Sequence, residues 1–237
     1  MKKIGIIGAM KVEIEYLEEL MKSNGKIDSI NEGGLCFICG NIENTEVVLV
    51  QSGVGKVNAA LCAQNLIQKF NCSKIINTGI AGAMAKGLGV MDFVVSSDAV
   101  YHDMDATGFG YKKGQIPQMS VFSFEADKNM IQCVKKAFVE GGFEKEHKIL
   151  EGRIATGDQF ISEKNVKSKI AEEFNPACVE MEGAAIAHAC FLNKIPFVII
   201  RCLSDMADDL SSNGYEFNES IAAKKSAKLV EKTLSFL

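Results

Sequence analysis

Proline is scarce, 3 residues in 237, and no stretch is repetitive, of low complexity or rich in proline and serine. Linkers, disordered segments and repeat arrays are therefore not visible, and the chain reads as one domain over 1–237. An excess of positive charge is missing as well. Lys and Arg number 26 against 30 Asp and Glu, a net charge of -4, so no field exists to draw in a polyanion and nucleic acid is not an expected partner. No apolar run approaches the ~20 residues of a membrane span. The opening run 4–10 breaks at Lys11 and Glu13 with no small-residue cleavage site behind it, so it is not read as a signal peptide. Together these absences predict a soluble, cytoplasmic protein.

Several chemical signatures are also wanting. The 8 cysteines are scattered from Cys36 to Cys202, mostly inside apolar runs, which suits buried free thiols in a reducing compartment. Cys36 and Cys39 form a C-x-x-C, but no second such pair or histidine pair completes a zinc site. His102, Asp103 and Asp105 lie close in sequence without a familiar ligand spacing, so no metal is expected. There is no Gly-x-Ser-x-Gly elbow of a serine hydrolase. The run from Ser52 to Lys56 is like a phosphate-binding loop but has Val50 and Val57 where that loop needs Gly and Ser or Thr. Gly5 and Gly8 follow a predicted strand without the first glycine of a dinucleotide fingerprint, and read as tight strand-to-helix packing.

What is present is an alternation of short β-branched runs and helical segments. Strands are predicted at 4–8, 35–39, 47–50, 74–77, 93–96, 149–155 and 197–202, with another ending at Val179. Helices are predicted at 12–21, 56–70, 127–140, 183–193 and 219–237. This pattern implies an α/β fold whose central sheet is mixed, mostly parallel and flanked by helices. In such folds ligands bind beyond the carboxyl ends of the strands.

Acidic residues stand at three of those ends. Glu13 opens the first helix, where it could simply complement the helix dipole. Glu180 and Glu182 flank Met181 ahead of a small-residue helix, and carboxylates in so apolar a setting are costly to bury unless they are hydrogen-bonded or bind something. Asp205 follows Ser204 at the end of the most apolar strand, and a helix N-cap is its bland alternative. Three convergent carboxyls suit cleavage of a bond whose transition state is cationic: one activates water, one holds sugar hydroxyls, one protonates a leaving group. His188, on the apolar helix, reads as a satisfied core residue.

The motifs Gly5-Ile-Ile-Gly-Ala-Met10 with Glu13, Ser52-Gly-Val-Gly-Lys-Val57, Ile76-Asn-Thr-Gly79, Tyr101-His-Asp103, Thr156-Gly-Asp158 with Phe160 and Ile161, Val179-Glu-Met-Glu182 and Arg201 to Asp205 occur in this order. In that order the chain resembles the bacterial 5'-methylthioadenosine/S-adenosylhomocysteine nucleosidases, from about Ile4 to Tyr215. The resemblance implies a nucleoside phosphorylase-like fold and a homodimer that uses no metal or organic cofactor. It implies Glu13 as the base that orients water, Asp205 as the acid at adenine N7 and Glu182 as the holder of the ribose hydroxyls. By the same resemblance Phe160 stacks on adenine, Ile161 reads the adenine edge through its backbone, and Met181 walls the ribose. Ala9, Val54, Ile80, Glu180, Ser204 and Tyr215 complete the expected substrate site, and Ala106, Phe109 and Pro117 would reach the neighbouring subunit's site. Ile80 departs from the usual pattern, which has serine there, and bears on substrate preference or rate. A purine nucleoside phosphorylase of the same fold and a non-catalytic nucleoside sensor are the rival readings. A phosphorylase would need cationic groups where this chain has Glu13, leaving Lys11 as the only nearby one.

Overall fold

The run Ile4–Gly8 forms strand β1 and is buried at every position, which an unbroken apolar strand can be only in a sheet covered on both faces. The structure, a computed structural model, describes residues 3–207 and 212–237, with the backbone alone for 212–217. Parallel neighbours of β1 are β4 (Thr45–Gln51) on one side and β5 (Lys74–Ala83) on the other. Beyond β4, the antiparallel strands β3 (Leu35–Ile42) and β2 (Asp28–Glu32) finish one edge. On the far side β5 pairs with both β10 (Phe197–Asp205) and β9 (Cys178–Glu180). The strands β6 (Phe93–Tyr101) and β8 (Ile149–Thr156) join β10 to β9 and so close a ring of five strands, with the short β7 (Phe124–Glu125) hung on β6. The sheet is mixed as expected, and its parallel pairings align more residues than its antiparallel ones.

Two helix groups cover it. One joins α1 (Lys11–Asn24) and α3 (Lys128–Glu140) to α6 (Ser212–Leu234); the other joins α2 (Lys56–Gln68) to α5 (Gly183–Asn193). In α3 the Asp127 carboxylate accepts the Met130 amide at 2.9 Å as an N-cap, and Met130, Ile131, Val134, Ala137 and Phe138 form the buried stripe. The first five residues of α5, Gly183 to Ala187, are all buried and all but Ile186 are small, which lets this end of the helix sit close to the sheet. The core runs without interruption through β1, β4, β5, β10 and both helix groups. At ~1.5–3 kcal/mol for each fully buried large aliphatic side chain, this continuity is the main source of stability.

The differences from the expected elements have physical causes. Strands β5 and β6 run on past Asn77 and Ser96 to Ala83 and Tyr101, through residues whose glycines and polar side chains have the character of a loop. Strand β2 is unexpected because its five residues, Asp-Ser-Ile-Asn-Glu, are exposed or nearly so and carry no apolar face. Helix α4 (Lys164–Phe174) is also additional to the expected elements, although Val166, Ile170 and Phe174 are spaced four apart and pack together. All eight cysteines are free, five of them buried. Cys36 and Cys39 lie three apart on β3, so their side chains leave opposite faces of the strand.

Candidate active site

Residues at or just beyond the carboxyl ends of β1, β4, β5, β8, β9 and β10 come together around a cavity of about 210 Å³. Glu13, Ala9, Val54, Ile80, Phe160, Ile161, Glu180, Met181, Glu182, Ser204 and Asp205 all line it, as do Met10, Ala81, Gly82, Gln159 and Val179, which sequence reasoning does not assign to the site. The last five carry no chemical signal of their own; they are flanking residues brought in by the strand ends. No lysine or arginine lines the cavity among the described residues.

Glu13 is 4 % exposed and its carboxylate is held by backbone. Oε2 accepts the amides of Ala9 at 2.6 Å and Met10 at 3.0 Å, and Oε1 accepts the amide of Ile80 at 3.0 Å. The group closes the N-terminus of α1, as a helix-capping acid would, and it also lines the cleft, tied to β5 through the Ile80 amide. Burial raises the pKa of Glu13, and the nearby Arg201 guanidinium and the three amides restrain that rise. Such close seating depends on Gly79, where a Cβ would stand 2.4 Å from Glu13 Oε1.

Glu182 meets the cleft from the opposite wall. Its Oε1 accepts the Gly55 amide at 2.8 Å, so the loop that is like a phosphate cradle holds an internal carboxylate instead. Burial, together with the charge of Glu180, pushes the Glu182 pKa up to about 8. Glu180 itself is engaged on every side. Thr156 Oγ1 donates to it, Arg201 Nη2 lies 2.5 Å away, and the amides of Glu182 and Gly183 donate at 3.1 and 2.7 Å. It therefore fixes the 181–183 turn and Arg201, and has less capacity left for a ligand than its place on the wall suggests. Arg201 is fully enclosed; despite the desolvation of burial, Glu180, Glu13 and Glu182 hold its charge firmly in place. Its Nη2 also reaches Asn77 Oδ1 at 2.5 Å.

Asp205, 4 % exposed, closes β10. Its Oδ1 accepts the Ala207 amide at 2.7 Å and its Oδ2 the Ser204 hydroxyl at 2.7 Å. Ser204 thus lines the cleft with its hydroxyl turned to Asp205. Across from it a Cβ on Gly82 would lie 3.0 Å from Asp205 Oδ1 and 2.9 Å from Ala207, so glycine is needed there too. Phe160 and Val54 stand at the open mouth, 55 % and 47 % exposed, and Ile161 and Ile80 lie deeper.

A family profile described as the Phosphorylase superfamily matches residues 3–235. Over 235 residues the chain is 40% identical to a 5'-methylthioadenosine/S-adenosylhomocysteine nucleosidase of Staphylococcus haemolyticus, covering 99% of this chain and 100% of that one. The chain belongs to this nucleosidase family. Its activity is that of an N-glycosyl hydrolase. Among solved structures, the enzyme of that name from Colwellia psychrerythraea, in complex with adenine, is 40% identical, with a TM-score of 0.93 over 100% of this chain and 96% of that one. A futalosine hydrolase of Helicobacter pylori is 32% identical, with a TM-score of 0.92 over 100% of this chain and 98% of that one.

Outside the cleft, the segment expected to serve a neighbouring subunit divides. Phe109 of this nucleosidase is 86 % exposed, Pro117 is partly exposed, and Ala106 is buried within its own chain. The side chain expected at Tyr215 lies outside the described residues. His188 is a satisfied interior residue: Nδ1 is 3.3 Å from the Tyr101 hydroxyl and the ring stacks on Phe124 at 4.8 Å. Among the described residues no group of three or more His, Cys, Asp or Glu is placed to hold a metal ion, and no helix is long and apolar enough to cross a membrane.

Proposed function

We propose that the protein hydrolyses the N-glycosidic bond of 5'-methylthioadenosine and S-adenosylhomocysteine, and also of 5'-deoxyadenosine, releasing adenine and the 5'-substituted ribose. The observation that carries this reading is the convergence of Glu13, Glu182 and Asp205 on one cleft whose described lining has no cationic side chain. Adenine packs on Phe160 with its edge at the Ile161 backbone, the ribose lies by Met181 and Ile80, and the Glu182 carboxyl holds the ribose hydroxyls. Asp205 gives a proton to N7 as the C1'–N9 bond breaks, so adenine leaves neutral. Water adds to C1' of the oxocarbenium-like sugar while Glu13 takes its proton, and the products carry all the atoms of nucleoside plus water. The raised pKa of Glu13 suits a base at neutral pH better than an ordinary carboxylate would. No metal or organic cofactor takes part in this route.

Phosphorolysis is disfavoured by the same site. Lys11, the cation nearest in sequence, is exposed and paired with Glu18, and Arg201 is committed to Glu180 and Asn77. A phosphate dianion would meet Glu13 with nothing to offset the repulsion. A sensor would have no use for Glu13 and Asp205 together. Adenine release from 5'-methylthioadenosine, measured with and without phosphate, tests the reading: free methylthioribose and no stimulation are expected, and a ribose 1-phosphate as main product would establish the phosphorylase instead.

The working form in this reading is a cytoplasmic homodimer. Its support is apolar surface: Val57 and Leu61 on α2, Leu192 on α5 and Phe109 are 60 to 86 % exposed, large apolar side chains that a second copy would cover. Phe109, with Pro117, then closes the 5' end of the neighbouring cleft, while Ala106 anchors that segment to its own subunit. Sedimentation that found a fully active monomer at micromolar concentration would rule this out.

A further inference from the structure

The one motif that the reaction leaves unexplained is the lysine that ends Ser52-Gly-Val-Gly-Lys56. Lys56 Nζ lies 2.6 Å from Asp103 Oδ2, 3.6 Å from Asp158 Oδ2 and 5.5 Å from the centre of the Tyr101 ring. The backbone completes the knot: the Lys56 amide donates to Asp158 Oδ1 at 2.8 Å, and the Asp158 amide donates to Asp103 Oδ2 at 2.9 Å. Lys56 and Asp103 are three-quarters buried or more, so this cluster is screened far less than a surface ion pair.

Its position matters more than its energy. Three separate loops meet in it, those after β4, β6 and β8. The loop after β4 supplies the Gly55 amide that holds Glu182, one residue before Lys56. The loop after β8 supplies Phe160 and Ile161, two and three residues after Asp158. The loop after β6 supplies Asp103, which ties both. The fit at the crossing is close, because Gly55 has φ +98° and a Cβ there would lie 3.2 Å from Asp158 Oδ1. By contrast the hydrogen bonds that hold Glu13, from Ala9, Met10 and Ile80, and those that hold Asp205, from Ser204 and Ala207, involve none of Lys56, Asp103 and Asp158; the loop after β4 meets them through the Gly53 amide, which donates to the Ala9 carbonyl at 3.1 Å.

We propose that Lys56 is a positioning residue for nucleoside binding: its ammonium, clamped by Asp103 and Asp158, sets the distance between the wall that holds Glu182 and the loop that carries Phe160 and Ile161. This rests on the nucleosidase reading for its substrate but not for its geometry. The wall and the loop grip the ribose and the base, so loosening them weakens binding of the nucleoside, whereas the groups that attack water and protonate the base keep their own supports.

The test compares Lys56→Met, Lys56→Arg, Asp103→Asn and the double variant Lys56→Met with Asp103→Asn. With 5'-methylthioadenosine, Lys56→Met raises KM about tenfold and lowers kcat less than about threefold, Lys56→Arg restores KM to within about threefold, and the double variant is no worse than the poorer single one. Amide exchange of the unliganded proteins, which needs no substrate, speeds up in Lys56→Met at 55–58 and 157–161 and nowhere else. A kcat loss with KM unchanged, a failure of arginine to rescue, or exchange that rises throughout the chain or not at all in those two segments overturns the proposal. Inactivity of the natural protein on every nucleoside would defeat the functional reading alone, and the exchange result would still decide this one.

Discussion

The backbone of Ile80 holds the carboxylate of Glu13, at 3.0 Å from the amide nitrogen to Oε1, while the Ile80 side chain forms part of the cleft wall. The support given to the proposed base is therefore independent of which side chain stands at position 80. Ile80→Ser should keep the hydrolytic reaction and its products. A serine would add at most one neutral hydrogen bond near the ribose, ~0.5–1.5 kcal/mol, so kcat/KM should change by about tenfold or less. A natural protein inactive on all 5'-thioadenosines but switched on by Ile80→Ser would mean that the isoleucine marks a different substrate.

Gly79→Ala should do much more damage than Ile80→Ser, although it adds a single methyl group. That methyl would stand 2.4 Å from Glu13 Oε1 and 3.3 Å from Arg201 Nη1, so the carboxylate must move off its amides. Loss of a positioned base is typically worth ~10²–10⁴-fold, and kcat should fall within that range while adenine binding, which we propose rests on Phe160 and Ile161, stays within a few-fold. Titration with adenine beside steady-state kinetics checks both parts; equal losses in kcat and in adenine affinity would show that the site as a whole had collapsed.

For Asp205 the informative comparison is between leaving groups. Asp205→Asn keeps the contacts to Ser204 and Ala207 within reach but cannot deliver a proton, so turnover of adenine nucleosides should fall ~10²–10⁴-fold. A p-nitrophenyl 5-thioriboside, whose leaving group departs as p-nitrophenolate without protonation, should lose far less. Identical losses on the two substrates would leave Asp205 as a structural cap.

How far these roles are legible in the sequence depends on whether the signal is local. Glu13, Glu182 and Asp205 each follow an apolar strand, and an acid in that setting is conspicuous because burying it is costly. Their anchors are not conspicuous. Arg201 stands out as one charge inside the strand Phe-Val-Ile-Ile-Arg-Cys-Leu-Ser-Asp, yet its partners Glu180 and Asn77 come from other strands of the closed ring. Thr156 is visible in sequence only as the start of Thr-Gly-Asp, and its hydroxyl proves to tie Glu180 to the Ala184 amide, again across strands. The segment Thr78-Gly-Ile-Ala-Gly82 looks like a loop for a reason that the structure explains: its glycines serve the close approach of Glu13 and Asp205, and flexibility is not their purpose. Helix α4 has a legible four-residue spacing, whereas β2, exposed and without an apolar face, has no comparable signal.

The raised pKa of Glu182 has a consequence for stability that can be separated from activity. In the unfolded chain this group loses its proton near its ordinary value of 4.5, and in the folded protein at about 8. Between those values the folded state holds a proton that the unfolded state has released, so the contribution is fully present below about 4.5 and is lost as pH rises through 8. Glu182→Gln resembles the protonated carboxyl, can still accept the Gly55 amide and cannot ionise. Wild type and variant should therefore melt closest together near pH 4.5 and diverge progressively up to about pH 8, the variant melting higher. A pKa that differs by one between the folded and unfolded protein corresponds to ~1.4 kcal/mol, or about 3–5 °C for a domain of this size. The difference between the two melting curves is the quantity to read, because His102, His147 and His188, whose pKa values burial lowers, are common to both and cancel. Their own effect has the opposite sign, since folded-state histidines that resist protonation favour the fold as pH rises towards 6.5. A gap between variant and wild type that stays constant from pH 4.5 to about 8 would mean that Glu182 ionises normally in the folded protein, with the Gly55 amide and Arg201 fully offsetting its burial.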